Sequence, residues 1–197
     1  MLTAAADIVR LSLVAAAGAF LVAGDGAAAL KCLLVLAPAL AARLARVPPG
    51  FDLIFTLALA GEAIATGAYD WIDWPDEASH LVIPFLSAPI VYQILVELSA
   101  TSPPDGARGP RPYVGAGIVT GVGVLAVGAL WELVEWGADR GLGTDYSQGY
   151  EDTLSDLRAD ALAAVLGGVL VAAWLHRRRE HAERSAASPH VNYQEAA

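Results

Sequence analysis

Lysine is almost missing from this chain. Lys31 stands alone beside eleven arginines in 197 residues, and twenty-one acids take the net charge to −9. A nucleic-acid surface needs a basic patch, so that class of partner is excluded, and no nucleotide cofactor is expected. Cysteine is as scarce. Cys32 is the single one and lies in an apolar run, which rules out a disulfide within the chain and makes packing its expected role. Charge of either sign is thin: 17% of residues are charged, against roughly 25% in soluble domains.

What fills the space is hydrocarbon. Mean hydropathy is +0.50, and the apolar residues come in blocks close to the roughly 20 residues that cross a bilayer. A soluble core in so short a chain does not need several such blocks. The pattern predicts an all-α, polytopic transmembrane helical bundle of about six spans: 7–24, 27–46, 51–69, 76–98, 113–137 and 154–175. The first is read as a retained span, because its apolar run exceeds the roughly 7–15 residues of a signal-peptide core. Residues 1–176 then form one six-helix domain, and 177–197 a polar cytoplasmic tail, disordered from 180 onward.

Arginine sets the orientation. Arg43, Arg46, Arg108, Arg111 and the Arg177–Arg179 run fall on one side, which the positive-inside rule makes cytoplasmic, with both termini. A plasma membrane location is expected. Twelve of the twenty-one acids collect on the other side: Asp70, Asp73, Asp76, Glu77, Glu132, Glu135, Asp139, Asp145, Glu151, Asp152, Asp156 and Asp160. Trp71, Trp74 and Trp136 sit at the same level, as an interfacial aromatic belt does.

Carboxylates beside hydrocarbon need a partner, a proton, a cation or water. On the fourth span Asp76 and His80 share a helical face, and Pro84 removes the donor that the His80 carbonyl would otherwise receive. The plainer reading is that Asp76 and Glu77 favour the helix N-terminus and His80 is packed. On the fifth span Glu132, Glu135 and Asp139 share a stripe, with Glu132 roughly 8 Å inside the helix end; a solvated face accounts for Glu135 and Asp139. On the sixth, Asp152, Asp156 and Asp160 recur every four residues while Arg158 points elsewhere. Thr153 with Asp156 reads as a capping box, and dipole compensation would explain Asp152 and Asp156, but not Asp160 one turn further in. His80, Glu132 and Asp160 fall at one depth on three helices, which points to a shared site. Its occupant is a divalent cation held by Asp76, His80, Glu132, Glu135, Asp152, Asp156 and Asp160, or a metal-free carboxylate–imidazole–arginine network.

Glu62, near the middle of the third span, is read either as a neutral acid bonded to a neighbouring helix or as a proton relay. The glycines of spans five and six, Gly128 among them, are packing devices. The long, glycine-bearing loop 138–153 is a candidate lid over the acids.

Four pieces of sequence together resemble the YjdF-like bacterial inner-membrane proteins and, more loosely, VanZ-like membrane proteins. They are D-E-A-S-H-L at 76–81, W-E-L-V-E-W at 131–136, Q-G-Y-E-D-T-L-S-D-L at 148–157 and A-D-A-L-A-A at 159–164. The likeness covers about residues 50–170 and departs from the pattern at Tyr150-Glu151 and at Asp160. It implies the fold and the same site positions, and no particular activity.

Three functions compete. One is a cation site acting on a lipid or envelope substrate, with Glu132 as candidate base. Another is a structural or partner-binding protein whose polar cluster locks helices. The last is a transporter using Glu62, for which the inner halves offer little beyond Gln93, Glu97 and Thr120 unless a homo-oligomer completes the path.

Overall fold

The computed structural model describes residues 1–64, 75–104, 106–107, 109–147 and 149–187, and all its regular structure is helical. Six helices follow in order: α1 Leu2–Ala23, α2 Gly26–Leu44, α3 Pro49–Ile64, α4 Pro75–Glu97, α5 Arg111–Leu142 and α6 Tyr150–Ala187. Asp70, Trp71, Asp73, Trp74 and Arg108 lie outside the described residues. Five helices, α1, α2, α4, α5 and α6, are long and apolar enough to cross a membrane. The remaining expected span, the third at 51–69, corresponds to α3, of which 16 residues are described.

The helices pack as two trios, α1–α2–α3 and α4–α5–α6, joined where α3 meets α4. The Gly24-Asp25 turn closes one helix and opens the next. Gly24 takes the left-handed φ of 83° that ends α1, and the Asp25 carboxylate accepts from Ala28 N at 2.9 Å to cap α2. The first core holds Leu13, Cys32, Val35, Ala39, Phe55 and Leu59, with the Cys32 thiol buried as packing. The second holds Ala88, Tyr92, Tyr113, Val124, Ala164 and Val171. Large aliphatic side chains such as Ile8, Leu11, Ile118, Val122, Val165 and Val169 instead point outward. Small residues inside and large ones outside suit a bundle solvated by lipid.

Where α5 crosses α6 the two backbones touch. A Cβ on Gly117 would lie 2.5 Å from the Gly168 carbonyl oxygen, and one on Gly168 would lie 2.5 Å from that of Gly117. Backbone cannot yield as a side chain can, so glycine is required on both sides.

Three expectations about helix ends need correction. Helix α5 runs five residues past the expected end at 137, to Leu142, where Gly143 at φ 68° stops it. Glu132 therefore lies roughly 15 Å from the helix end by rise, not 8 Å. Helix α6 starts at Tyr150, and Thr153 N already bonds Gly149 O at 3.1 Å, so Thr153 is inside the first turn and forms no capping box. Its other end continues to Ala187 through residues expected to be a disordered tail. Pairs one turn apart, Arg179–Glu183 at 2.7 Å, His176–Glu180 at 3.7 Å and Glu180–Arg184 at 3.8 Å, carry it on.

Candidate functional site

The ends of α4, α5 and α6 that bear the acids meet around His80. Its Nδ1 lies 3.3 Å from Asp160 Oδ1 on α6, and its Nε2 lies 3.7 Å from Glu132 Oε1 on α5 and 4.0 Å from Asp76 Oδ1 on α4. His80, Glu132, Asp156 and Asp160 are all buried, the last two almost completely. Two groups have ligand-type atoms within 4.8 Å of one another: His80 with Glu132 and Asp156, and Asp76 with Asp152 and Asp156. Asp156 belongs to both.

The local sequence explains the convergence. Asp152, Asp156 and Asp160 rise one turn at a time along α6 and face inward, while Arg158 is exposed. Gly128, one turn below Glu132 on α5, makes the room. A Cβ there would overlap the Asp160 carboxyl group and come within 3.1 Å of its Cβ. Gly128 is thus part of the site and not only a packing device, which the sequence reading missed.

The electrostatics are one-sided. Among the described residues, none of Asp76, Glu132, Asp156 and Asp160 forms an ion pair with lysine or arginine. Glu132 Oε1, Asp156 Oδ1 and Asp160 Oδ2 are buried and accept no hydrogen bond from the described residues. Buried oxygens of this kind cost several kcal/mol unless something charged or protonated meets them. The Thr153 hydroxyl is a neutral donor within reach of the Glu132 carboxyl group.

The remaining candidates divide. Glu135 is buried, not on a solvated face, and accepts from its own helix through Trp131 Nε1 at 3.0 Å; it belongs to neither ligand group. Asp139 holds the connection to α6, accepting from Thr144 Oγ1 at 2.6 Å, Tyr146 N at 2.9 Å and Ser147 N at 3.0 Å. That connection spans 143–149 instead of 138–153, because helix occupies both ends. It is fastened down further by Tyr146, whose hydroxyl donates to Ala27 O at 2.5 Å. Burial and the nearby Asp139 raise the Tyr146 pKa, which keeps it protonated as a donor.

Glu62 has a partner the sequence reading did not assign: its carboxylate lies 2.7 Å from Lys31 Nζ, with Lys31 buried and Glu62 nearly so. A second buried pair, Arg10 with Asp52, joins α1 to α3. Arg10 also donates to Ala39 O from Nε and Nη2, to Thr56 Oγ1 and to Asp7 Oδ1. The signal was there. Arg10 and Asp52 both lie in the first halves of parallel spans, and Lys31 and Glu62 lie at the opposite level on antiparallel neighbours.

Between the trios, directly beside His80, runs a cavity of about 100 Å³. Val35, Phe55, Leu59, Ile83, Val127 and Trp131 make it mainly apolar, with Glu62 and Ser79 at its wall.

No curated protein and no solved structure matches the chain. The looser VanZ-like resemblance gains no support. A family model described as "Predicted membrane protein (DUF2238)" matches residues 3–181. With nearly the whole chain matched, and with a helical membrane bundle that fits the description, the protein belongs to this family of predicted membrane proteins.

Proposed function

We propose that the chain is a YjdF-like, multi-pass protein of the plasma membrane with both termini cytoplasmic, whose His80–Glu132–Asp156 site binds a divalent cation and acts on a lipid or cell-envelope substrate. The observation that carries this reading is the pair of buried oxygens, Glu132 Oε1 and Asp156 Oδ1, converging with His80, with no lysine or arginine paired to them among the described residues. Asp160 supports it from behind. A carboxylate on Nδ1 fixes the ring and leaves Nε2 free to ligate, as in many carboxylate–histidine–metal arrangements. A cation there would polarise a phosphoryl or carbonyl oxygen and acidify a bound water, with Glu132 placed to accept its proton. The apolar cavity beside His80 favours a substrate with a hydrocarbon part.

Metal analysis of purified protein tests this directly. Wild type is expected to carry stoichiometric divalent metal, and Glu132→Gln and Asp156→Asn to carry little. A metal-free wild type whose melting temperature ignores added zinc, manganese and magnesium would sink the reading. His80 would then be an imidazolium held by Asp160, Glu132 and Asp76, and the cluster a structural lock; the three carboxylates around the ring, at 3.3, 3.7 and 4.0 Å, favour that as the second reading. The transporter reading is weakened by the Lys31–Glu62 pair, which neutralises the acid it relies on.

Orientation has its own check. Cys32 is fully buried, so wild type is a silent background for thiol labelling. An Asp145→Cys variant is expected to label only from outside intact cells and Arg108→Cys only after permeabilisation. Labelling of both from one side contradicts the topology.

A further inference from the structure

We propose that the site holds two divalent cations bridged by Asp156: one in a histidine-containing position and one in an all-oxygen position. This rests on the cation reading above and goes beyond it in number, ligand set and metal preference. The two ligand groups are distinct apart from one residue. His80 and Glu132 belong to the first, Asp76 and Asp152 to the second, and Asp156 to both. Asp156 is 1% exposed and its Oδ1 has no hydrogen-bond partner among the described residues, so a carboxylate with an oxygen to spare sits between the two sets. A carboxylate shared by two metal ions roughly 3.5–4 Å apart is how two-metal sites are built.

Charge balance favours two ions. The two groups together contain four carboxylates, Asp76, Glu132, Asp152 and Asp156. Glu132 and Asp156 are buried, Asp76 and Asp152 partly so, and a pair of divalent ions matches the formal charge of the four. Asp160 is set apart from this sum, since it faces His80 Nδ1 from the far side. The donor chemistry then separates the positions. Imidazole with two carboxylates suits a borderline ion such as zinc, while three carboxylates suit a hard ion such as magnesium or manganese. The all-oxygen position lies nearer the surface, because Asp76 and Asp152 are only partly buried. The hard ion is accordingly the more readily exchanged of the two.

The experiment uses the full chain in detergent, stripped by chelator and titrated with zinc and then manganese, with bound metal counted after desalting. Wild type is expected to retain two ions per chain. The Asp76→Asn/Asp152→Asn double variant is expected to keep the zinc and lose the manganese, and His80→Ala the reverse. Asp156→Asn is expected to lose both. Because Asp156→Asn could misfold, wild type saturated with manganese alone supplies an independent readout: paramagnetic resonance of an exchange-coupled ion pair. One ion per chain, lost in every variant alike, or a saturated manganese spectrum of isolated ions, overturns the two-cation proposal and leaves the single-cation reading standing. No retained ion of any kind removes both.

Discussion

Replacing Arg10 with alanine is expected to destabilise the protein by about 3–5 kcal/mol, the scale for stranding one member of a buried ion pair. The guanidinium is 5% exposed and Asp52 is 3% exposed. Four groups on three helices depend on it: Asp7 on α1, the Ala39 carbonyl on α2, and Asp52 and Thr56 on α3. Arg10→Ala leaves Asp52 charged and buried, with the Thr56 hydroxyl beside it as a weak substitute. A control separates the cost of a stranded charge from the worth of the pair. Arg10→Met with Asp52→Leu removes both charges while keeping volume, and most of the lost stability is expected to return. Denaturant unfolding in detergent, with helicity as the signal, measures both variants. A single variant within about 1 kcal/mol of wild type, the range of an exposed pair, would show that water reaches Asp52.

The second large effect is expected at Gly128. Gly128→Ala adds one methyl group, yet that carbon would occupy the position of the Asp160 carboxyl group. Asp160 is 0% exposed and has little room to retreat. The carboxylate must leave His80, and the ring loses the contact that orients it. Cation affinity is expected to fall roughly 10- to 100-fold, the usual result of removing a partner behind a ligating histidine. Overpacking costs about 1–3 kcal/mol of stability in addition. Asp160→Ala is expected to lower affinity to a similar degree without the steric cost. Since both changes break the same contact, the double variant should bind no more weakly than Asp160→Ala alone. Competition with a chelator of known affinity reads all three. If Gly128→Ala binds as tightly as wild type, Asp160 does not position His80.

How much of this was legible beforehand depended on whether the information was local. The apolar blocks dictate the helices, and depth along each block brings His80, Glu132 and Asp160 to one level before any contact is known. Helix ends were misread because hydropathy marks where hydrocarbon stops, not where hydrogen bonding does. Ala138 to Leu142 and Arg177 to Ala187 are polar enough to leave the apolar run yet form helix readily. Gly128 could not be recognised as the space for Asp160, since that depends on the register of α5 against α6, which no single helix encodes. Glu135 shows the same limit: its spacing from Glu132 is right for a shared stripe, but Trp131 claims it. Lys31–Glu62 and Arg10–Asp52 were accessible from depth and sign together, had the first three spans been compared as the last three were.

That N-terminal arrangement has a consequence for biogenesis. Arg10 and Asp52 are 42 residues apart in the chain. At synthesis rates of about 5–20 residues per second, Arg10 leaves the ribosome roughly 2–8 s before its partner. Lys31 precedes Glu62 in the same way. During that interval α1 and α2 each present a cation to the insertion machinery, at a penalty of about 2.5–3.5 kcal/mol if it lies near the bilayer centre. Asp7, one turn before Arg10, is a counter-ion already made. The Arg10–Asp52 and Lys31–Glu62 pairs therefore close only when α3 arrives, so the third helix brings opposite charge to both of the helices made before it.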